Sequence, residues 1–143
     1  MKLLFVNDND GVLEAYQAML KALAPDIAVT ASEDGNTALR VYRKGRYDLV
    51  LTDLDHPGLN GVELAEQILQ ANPQQRIGFV TVWAPWRNDE LRKKRRSDET
   101  EIDRKLTDAY LQMEKFINRT HIPVLSIPVE AEDFVKFVRH VAS

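Results

Sequence analysis

One aspartate stands where an apolar strand gives way to a loop. Residues 49–51 read Leu-Val-Leu without a polar break, which predicts a short strand buried on both faces, as in a parallel sheet. Asp53 ends this run, and Pro57, Gly58 and Gly61 follow it. A carboxylate in that position lies at the carboxyl edge of the sheet, where open α/β folds bind ligands. A lone aspartate there is more often a turn cap, so the other strand ends must decide between the two interpretations.

A second polar cluster follows the first predicted strand. It reads Asn7, Asp8, Asn9 and Asp10. Carboxylates from two strand ends at one edge repel each other unless a cation lies between them. Mg²⁺ suits such a site, since it takes one or two carboxylates and keeps water as its other ligands. We therefore expect Asp8 and Asp53 to hold a weakly bound Mg²⁺ and Asp10 to cap the first helix; the alternative for the whole cluster is a turn with a helix cap.

The spacing of apolar residues predicts strands that alternate with helices. Strands are predicted at about residues 3–6, 27–31, 49–53, 77–82 and 122–127. The intervals carry apolar residues at helical spacing, and this alternation indicates βαβ units and a parallel sheet. Each crossover is expected to be right-handed.

Composition narrows the class of protein. The chain has 143 residues, 44% of them hydrophobic, and a formal net charge of −3, so we expect one globular domain and no overall nucleic-acid signal. It contains no cysteine, which excludes disulfides and thiol chemistry. The apolar start is too short for a signal peptide or a membrane span, so the expected location is the cytoplasm, with no membrane partner. No linker is visible, and we expect a single domain over residues 1–143 without an output domain.

The spacing of Asp53, Pro57 and Gly61 resembles the phosphoacceptor strand of bacterial response-regulator receiver domains. His56 stands where that family usually has methionine. The resemblance covers the whole chain except about residues 84–120. It implies an α/β flavodoxin-like (CheY-like) doubly wound sheet of five parallel strands in the order 2-1-3-4-5, with an enlarged region around helix 4.

The same resemblance assigns roles to individual residues. Asp53 is the potential phosphoacceptor, and Thr81, at the end of the fourth strand, would donate a hydrogen bond to the phosphoryl group. Mg²⁺ would be held by Asp8, by Asp53 and by the backbone carbonyl of Asp55. After Thr81 the family usually has a small residue, whereas this chain has Val82.

Three positions depart from the family pattern. Asn7 replaces the first acid of the pair that ends strand 1. Ile127 replaces the lysine that ends strand 5 before a proline, here Pro128, and Val124 replaces the switch aromatic. An apolar Ile127 cannot compensate the charge of a phosphoryl group, a contribution that fixed cations normally make.

The segment at about residues 84–120 is longer than the family pattern requires. It contains a basic run of Lys93, Lys94, Arg95 and Arg96. Such a run binds phosphates in some proteins but is more often a solvated loop. A helix is predicted over residues 98–119, with Met113, Phe116 and Ile117 over the core. Its first turns should extend beyond the sheet as an interaction surface, through Ile102, Leu106 and Tyr110, that favours a homodimer. The alternative is a lid within the chain, in which Trp83 and Trp86 fold back over the site.

These observations favour a stand-alone, atypical receiver that acts mainly through protein–protein contacts in two-component (phosphorelay) signalling. Its expected partner is a sensor histidine kinase or another signalling protein, and it is not expected to be an enzyme beyond slow phosphoryl acceptance at Asp53. One alternative is a haloacid-dehalogenase-type phosphatase that uses Asp53 and Asp55, although that class places the motif on its first strand. Another is a nucleic-acid-binding adaptor that uses Lys93 to Arg96.

Overall fold

A computed structural model describes residues 1–54, 56, 58–82 and 101–143, with only the backbone for residues 101–110. The five strands are β1 Lys2–Val6, β2 Ala28–Ser32, β3 Leu49–Thr52, β4 Arg76–Thr81 and β5 Val124–Ser126. The helices of the described part are α1 Asp10–Leu23, α2 Gly35–Lys44, α3 Gly61–Ala71, α4 Glu101–Thr120 and α5 Ala131–Ala142.

The strands form one sheet in the order β2-β1-β3-β4-β5. Every neighbouring pair is parallel. The predicted fold class and strand order are therefore confirmed. β5 is shorter than predicted, because it pairs with β4 over three residues only.

The sheet is buried on both faces, as the apolar runs predict. Residues that alternate along the strands contribute to two cores. Val50 and Phe79 pack with α2, α3 and the end of α4, whereas Leu51 and Val80 pack with α1 and α5. The sheet is therefore doubly wound, and its carboxyl edge is left to the loops.

Polar caps fix the first residue of two helices that begin at this edge. The side chain of Asn9 caps α1 by accepting a hydrogen bond from the backbone N–H of Val12. The prediction that Asp10 is the cap was wrong: Asp10 is the first residue of the helix, and Asn9 before it has the extended backbone and the side-chain hydrogen bond of a cap. Asn60 and Glu63 form a reciprocal capping box at the start of α3.

The helix predicted in the long segment is present as α4, and its predicted start at residue 98 lies outside the described residues. Met113 and Phe116 are buried against the sheet and Ile117 is partly buried there, which confirms the predicted packing. The ring of Phe116 meets that of Phe79 edge-on at 6.4 Å. The C-terminal half of α4 therefore belongs to the domain core.

Candidate functional site

The ends of β1 and β3 lie side by side at the carboxyl edge. Val6 pairs with Thr52, and the backbone N–H of Asp53 donates to the carbonyl of Val6 at 3.0 Å. Asn7 and Asp53 are therefore the first residues beyond two adjacent strands. The predicted meeting of these two strand ends is confirmed.

Asp53 is held in a close-packed setting, with 7% of its surface exposed. Its Oδ1 accepts a hydrogen bond from the backbone N–H of Leu54 at 2.7 Å. Behind it, α3 begins at Gly61, where any Cβ would overlap the carbonyl oxygen of Asp53. Glycine at position 61 is thus required by the close approach of α3 to the end of β3.

Asn7 and Asp8 occupy different environments. Asn7 is buried, and its side-chain oxygen accepts a hydrogen bond from the backbone N–H of Asn9 at 2.9 Å. Asp8 is exposed. Asn7 therefore shapes the loop after β1, while Asp8 offers its carboxylate to solvent at the same edge.

The donor set at this edge fits a hard cation with few protein ligands. Asp8 and Asp53 supply carboxylates, and Asp55 lies outside the described residues. Within the described part of the chain, no three His, Cys, Asp or Glu side chains are grouped to hold a metal. Mg²⁺ accepts such a sparse set, since it is commonly bound through one or two carboxylates and several waters.

The end of β5 brings an apolar side chain to this edge. Thr81 is buried and pairs with Ser126, and its carbonyl accepts the N–H of Ile127 at 2.9 Å. Ile127 is 5% exposed and packs with the core under α1 and α5. Val124 is half-buried in β5 beside Phe79.

The loop after β5 is tied to α1 by an aromatic side chain. The backbone N–H of Val129 donates to the hydroxyl of Tyr16 at 3.2 Å. The Tyr16 ring also meets Phe134 of α5 edge-on at 4.7 Å. The β5 end of the edge is therefore fastened by packing and by one hydrogen bond.

His56 is a residue of the site that sequence reasoning missed. It is 4% exposed, and its Nε2 lies 3.1 Å from Oγ1 of Thr52. The same Oγ1 donates to the carbonyl oxygen of Asp53 at 2.9 Å. The sequence marks His56 only as an unusual residue beside Pro57, and its spacing of four from Thr52 does not reveal that the loop folds back onto the strand.

Acidic groups surround the mouth of the edge. The pKa of Glu33 is raised because its carboxyl hydrogen-bonds with that of Asp10 and the two charges repel each other. The pKa of Asp34 is lowered by hydrogen bonds from the backbone N–H and the hydroxyl of Thr37. Because the charges of Asp10 and Asp34 both repel that of Glu33, a cation is favoured beside these three carboxyl groups.

A groove of about 550 Å³ lies at the opposite end of the sheet. Its walls come from the ends of α3, α4 and α5 and include Ile77, His121, Ile122 and His140. It belongs to the amino ends of β4 and β5, so it is separate from Asp53.

Comparison with known proteins identifies the family. Residues 3–93 match the family described as the response regulator receiver domain. The chain belongs to this family. Receiver domains typically bind Mg²⁺ at their acidic site, interact with histidine kinases and other signalling proteins, and are generally not enzymes.

Curated relatives match the receiver over part of its length. The transcriptional regulatory protein CseB of Streptomyces avermitilis is 43% identical over 65 residues, which cover 46% of this chain and 27% of that protein. The response regulator GacA of Pseudomonas aeruginosa is 30% identical over 82 residues, which cover 57% of this chain and 38% of GacA. The chemotaxis protein CheY of Pseudomonas aeruginosa is 27% identical over 94 residues, covering 64% and 73%. The receiver thus spans 27% of CseB and 38% of GacA.

Solved structures share the fold over nearly the whole chain. The chemotaxis protein CheY4 of Vibrio cholerae has a TM-score of 0.70 at 17% identity, covering 98% of this chain and 97% of that one. The HemR receiver domain of Leptospira biflexa, in its non-phosphorylated form, has a TM-score of 0.71 at 21% identity, covering 99% and 94%. At these identities the likeness shows the fold alone. It extends across α4, β5 and α5, beyond the residues of the family match.

Several predicted features fall outside the described residues. They are Asp55, Trp83, Trp86, the basic run Lys93 to Arg96, and the side chains of Ile102, Leu106 and Tyr110 in α4. In the described ranges, no helix has both the length and the apolar character needed to cross a membrane. The phosphatase alternative gains no support, because Asp53 follows the third strand of the chain and the family match is to receivers.

Proposed function

We propose that this receiver accepts a phosphoryl group slowly at Asp53 and acts mainly through protein–protein contacts in two-component signalling. The single observation that carries the proposal is the position of Asp53, which is buried directly after β3 and beside Asn7 at the carboxyl edge. Asp8, Asp53 and the backbone carbonyl of Asp55 are the proposed Mg²⁺ ligands. Thr81, buried at the end of β4, is the proposed donor to the phosphoryl group.

The proposed reaction transfers a phosphoryl group from a phosphodonor to Asp53. A carboxylate oxygen of Asp53 attacks phosphorus and forms a new O–P bond, which gives an acyl phosphate. The P–N bond of a phosphohistidine, or the P–O bond of acetyl phosphate, breaks, and the leaving group takes the electron pair. Bound Mg²⁺ would supply charge neutralisation at the transferring oxygens.

The rate should be low because Ile127 brings no cation to the phosphoryl group. Its side chain packs into the core under α1 and α5. A preorganised donor or cation at such a position commonly accounts for about 100-fold or more in rate. Slow acceptance favours a role in which binding to a partner, such as a sensor histidine kinase, carries the signal.

Intact-mass spectrometry after incubation with acetyl phosphate and Mg²⁺ tests the proposal. We expect a slowly growing species heavier by one phosphoryl group in the wild type and none in Asp53→Ala. Equal growth in Asp53→Ala, or none in the wild type after long incubation, would rule out Asp53 as the acceptor. Turnover of a generic phosphate ester would instead favour the phosphatase.

Beryllofluoride, which mimics the phosphoryl group, tests whether the signal reaches β5 and α5. A ligand shifts an equilibrium only through contacts that differ between two states. Because Ile127 and Val124 offer neither a cation nor an aromatic switch, amide resonances of residues 122–141 should stay in place. Large shifts there would show that a switch operates by other contacts.

The partner surface is proposed to include α4, through Ile102, Leu106 and Tyr110, and to support self-association. Light scattering of wild type and Leu106→Arg tests it. We expect a dimer in the wild type and a monomer in the variant. A wild-type monomer at high concentration would remove self-association from the proposal.

A further inference from the structure

The loop between β3 and α3 lies close against the start of α2. At Gly35, a Cβ would overlap the carbonyl oxygen of Leu59 and would lie 2.9 Å from Cε1 of His56. Gly58 has a positive φ of 72°, and a Cβ there would meet Asn36 of α2 at 2.6 Å. The described part of this loop is therefore closely packed against α2, and His56 is buried there.

The polarity of the bonds around Thr52 can be assigned from its single hydroxyl proton. A carbonyl oxygen only accepts, so the bond of 2.9 Å to the Asp53 carbonyl uses that proton. The contact of 3.1 Å between Oγ1 and Nε2 of His56 must then have the imidazole as donor. His56 therefore carries its proton on Nε2 and donates to Thr52.

The bond from Thr52 ends on the peptide group that holds the acceptor carboxylate. The carbonyl of that peptide belongs to Asp53 and accepts from Thr52. The N–H of the same peptide belongs to Leu54 and donates to Oδ1 of Asp53 at 2.7 Å. One continuous hydrogen-bond chain thus runs from His56 through Thr52 and the 53–54 peptide to the carboxylate, and each link polarises the next.

We propose that His56 is a positioning residue of the phosphoryl site, which orients the Asp53 carboxylate through Thr52 and the 53–54 peptide. The role rests on the proposed function of Asp53 as the phosphoacceptor. His56 acts on the carboxylate through these bonds. In this hydrogen-bond chain, Oδ1 of Asp53 accepts from the Leu54 N–H, which sets the orientation of the carboxylate.

The test separates the donor from the bulk of the side chain. His56→Met fills similar space without a donor, whereas the amide nitrogen of His56→Gln can replace Nε2. Thr52→Val removes the middle link with nearly the same shape, and Thr52→Ser keeps it. The rate of Asp53 phosphorylation is measured against acetyl phosphate concentration at saturating Mg²⁺.

We expect His56→Met and Thr52→Val each to lower the maximal rate about tenfold, with the half-saturating concentration unchanged. His56→Gln and Thr52→Ser should stay close to wild type. The double variant His56→Met/Thr52→Val should be no slower than either single one, because both break the same chain. An unchanged maximal rate in His56→Met, or losses that multiply in the double variant, would overturn the proposal.

A second readout keeps this proposal distinct from the function of Asp53. The Leu54 amide proton resonance, measured without phosphodonor, reports its bond to the carboxylate. It should move upfield in His56→Met and Thr52→Val and stay in place in His56→Gln. If the wild type takes up no phosphoryl group, the proposed function of Asp53 is wrong, while this shift would still support the hydrogen-bond chain from His56. A Leu54 resonance that stays in place in all the variants would refute the hydrogen-bond chain itself.

Discussion

The ends of β3 and β5 lie at the same edge of one sheet but are built from different interactions. After β3, Asp53 is surrounded by hydrogen bonds from Leu54, and through Thr52 from His56. After β5, Ile127 is buried among apolar side chains. One end holds a carboxylate by hydrogen bonds, and the other is closed by apolar packing. On the proposed function, we therefore expect acceptance of a phosphoryl group and the response to it to be separable properties of this edge.

The two ends also differ in how tightly they fix the backbone. At the β3 end, Gly35 and Gly61 allow backbone to contact backbone, so that a single methyl group has no place. At the β5 end, three residues pair with β4, and the following loop depends on the Tyr16 hydroxyl. A change at the β3 end should therefore impair structure and chemistry together, whereas a change at the β5 end should destabilise the fold without impairing the chemistry.

The largest expected effect comes from Gly61→Ala. The added Cβ would overlap the carbonyl oxygen of Asp53, which is a backbone atom and cannot shift without moving the end of β3. We expect the free energy of unfolding to fall by about 3 kcal/mol or more, with loss of phosphoryl acceptance. Urea unfolding and the phosphorylation assay measure both.

Gly11→Ala is the matched control for that substitution. Gly11 lies in the first turn of α1. Within the described residues, the one atom that an added Cβ would approach is Oδ1 of Asn9, at 3.2 Å. Alanine is the better helix former by up to about 1 kcal/mol, so this variant should be at least nearly as stable as wild type. Equal losses in both variants would mean that the close packing after β3 is not what matters.

The second prediction restores a cation at the β5 end. Ile127→Lys should raise the rate of phosphoryl acceptance on the order of 100-fold, because an ammonium at this strand end can stabilise charge at the transferring group. It should also lower stability in the absence of phosphodonor, since the position is buried.

Ile127→Met controls for the change of shape at the same position. A swap of similar volume should cost less than about 1.5 kcal/mol and leave the rate unchanged. Phosphorylation kinetics of the three proteins decide the matter. If Ile127→Lys is no faster than Ile127→Met, the β5 end does not limit the chemistry.

The third prediction concerns the hydroxyl that fastens the loop after β5. Tyr16→Phe removes the acceptor of the Val129 N–H while keeping the ring against Phe134. We expect a loss of about 1 kcal/mol in unfolding free energy and faster amide exchange at Val129. Phosphoryl acceptance at Asp53 should not change, because the β3 end is intact.

Tyr42→Phe serves for comparison, since the hydroxyl of Tyr42 donates to Gln75 at 2.7 Å on the other face of the sheet. Tyr42→Phe should lower the unfolding free energy by a similar amount without affecting amide hydrogen exchange at Val129. Equal protection of Val129 in wild type and Tyr16→Phe would show that the loop does not depend on the hydroxyl.

The sequence predicts the β3 end better than its surroundings. An uninterrupted apolar run before Asp53 and the glycine at position 61 are local signals, and both features are present in the fold. The sequence does not decide whether Asn9 or Asp10 caps α1, because either side chain can cap a helix; in the fold the cap is Asn9.

The hydrogen-bond chain from His56 was not predictable in the same way. A histidine beside a proline and a glycine suggests an exposed loop. Its burial results from tertiary contacts, because α2 approaches the loop closely at Gly35. Contacts between elements that are distant in sequence leave no periodic pattern, so only the folded chain reveals them.

The smallest expected effect concerns the helix that supports each end. Asp34 caps α2, which backs the loop after β3, through hydrogen bonds from the Thr37 N–H at 2.7 Å and the Thr37 hydroxyl at 2.9 Å. At the β5 end, Glu130 precedes α5 and makes no side-chain capping bond within the described residues. A titratable helix cap, Asp34, therefore supports the β3 end, whereas the β5 end has no such cap among the described residues.

The pKa of Asp34 is lowered from 3.8 by these bonds, so the folded state binds its proton less readily than the unfolded chain does. The stability it contributes is present above the unfolded pKa and is lost as the pH falls through the folded pKa. In Asp34→Asn the cap remains but does not titrate, and the lost charge at the helix start is worth about 0.3–1 kcal/mol. The difference in unfolding free energy between wild type and Asp34→Asn should therefore be greatest near neutral pH and shrink below about pH 4. Urea unfolding across this range measures it, with Glu130→Gln as the control in which no capping bond is changed. A difference that stays constant with pH would show that the charge of Asp34 does not stabilise the helix behind the β3 end.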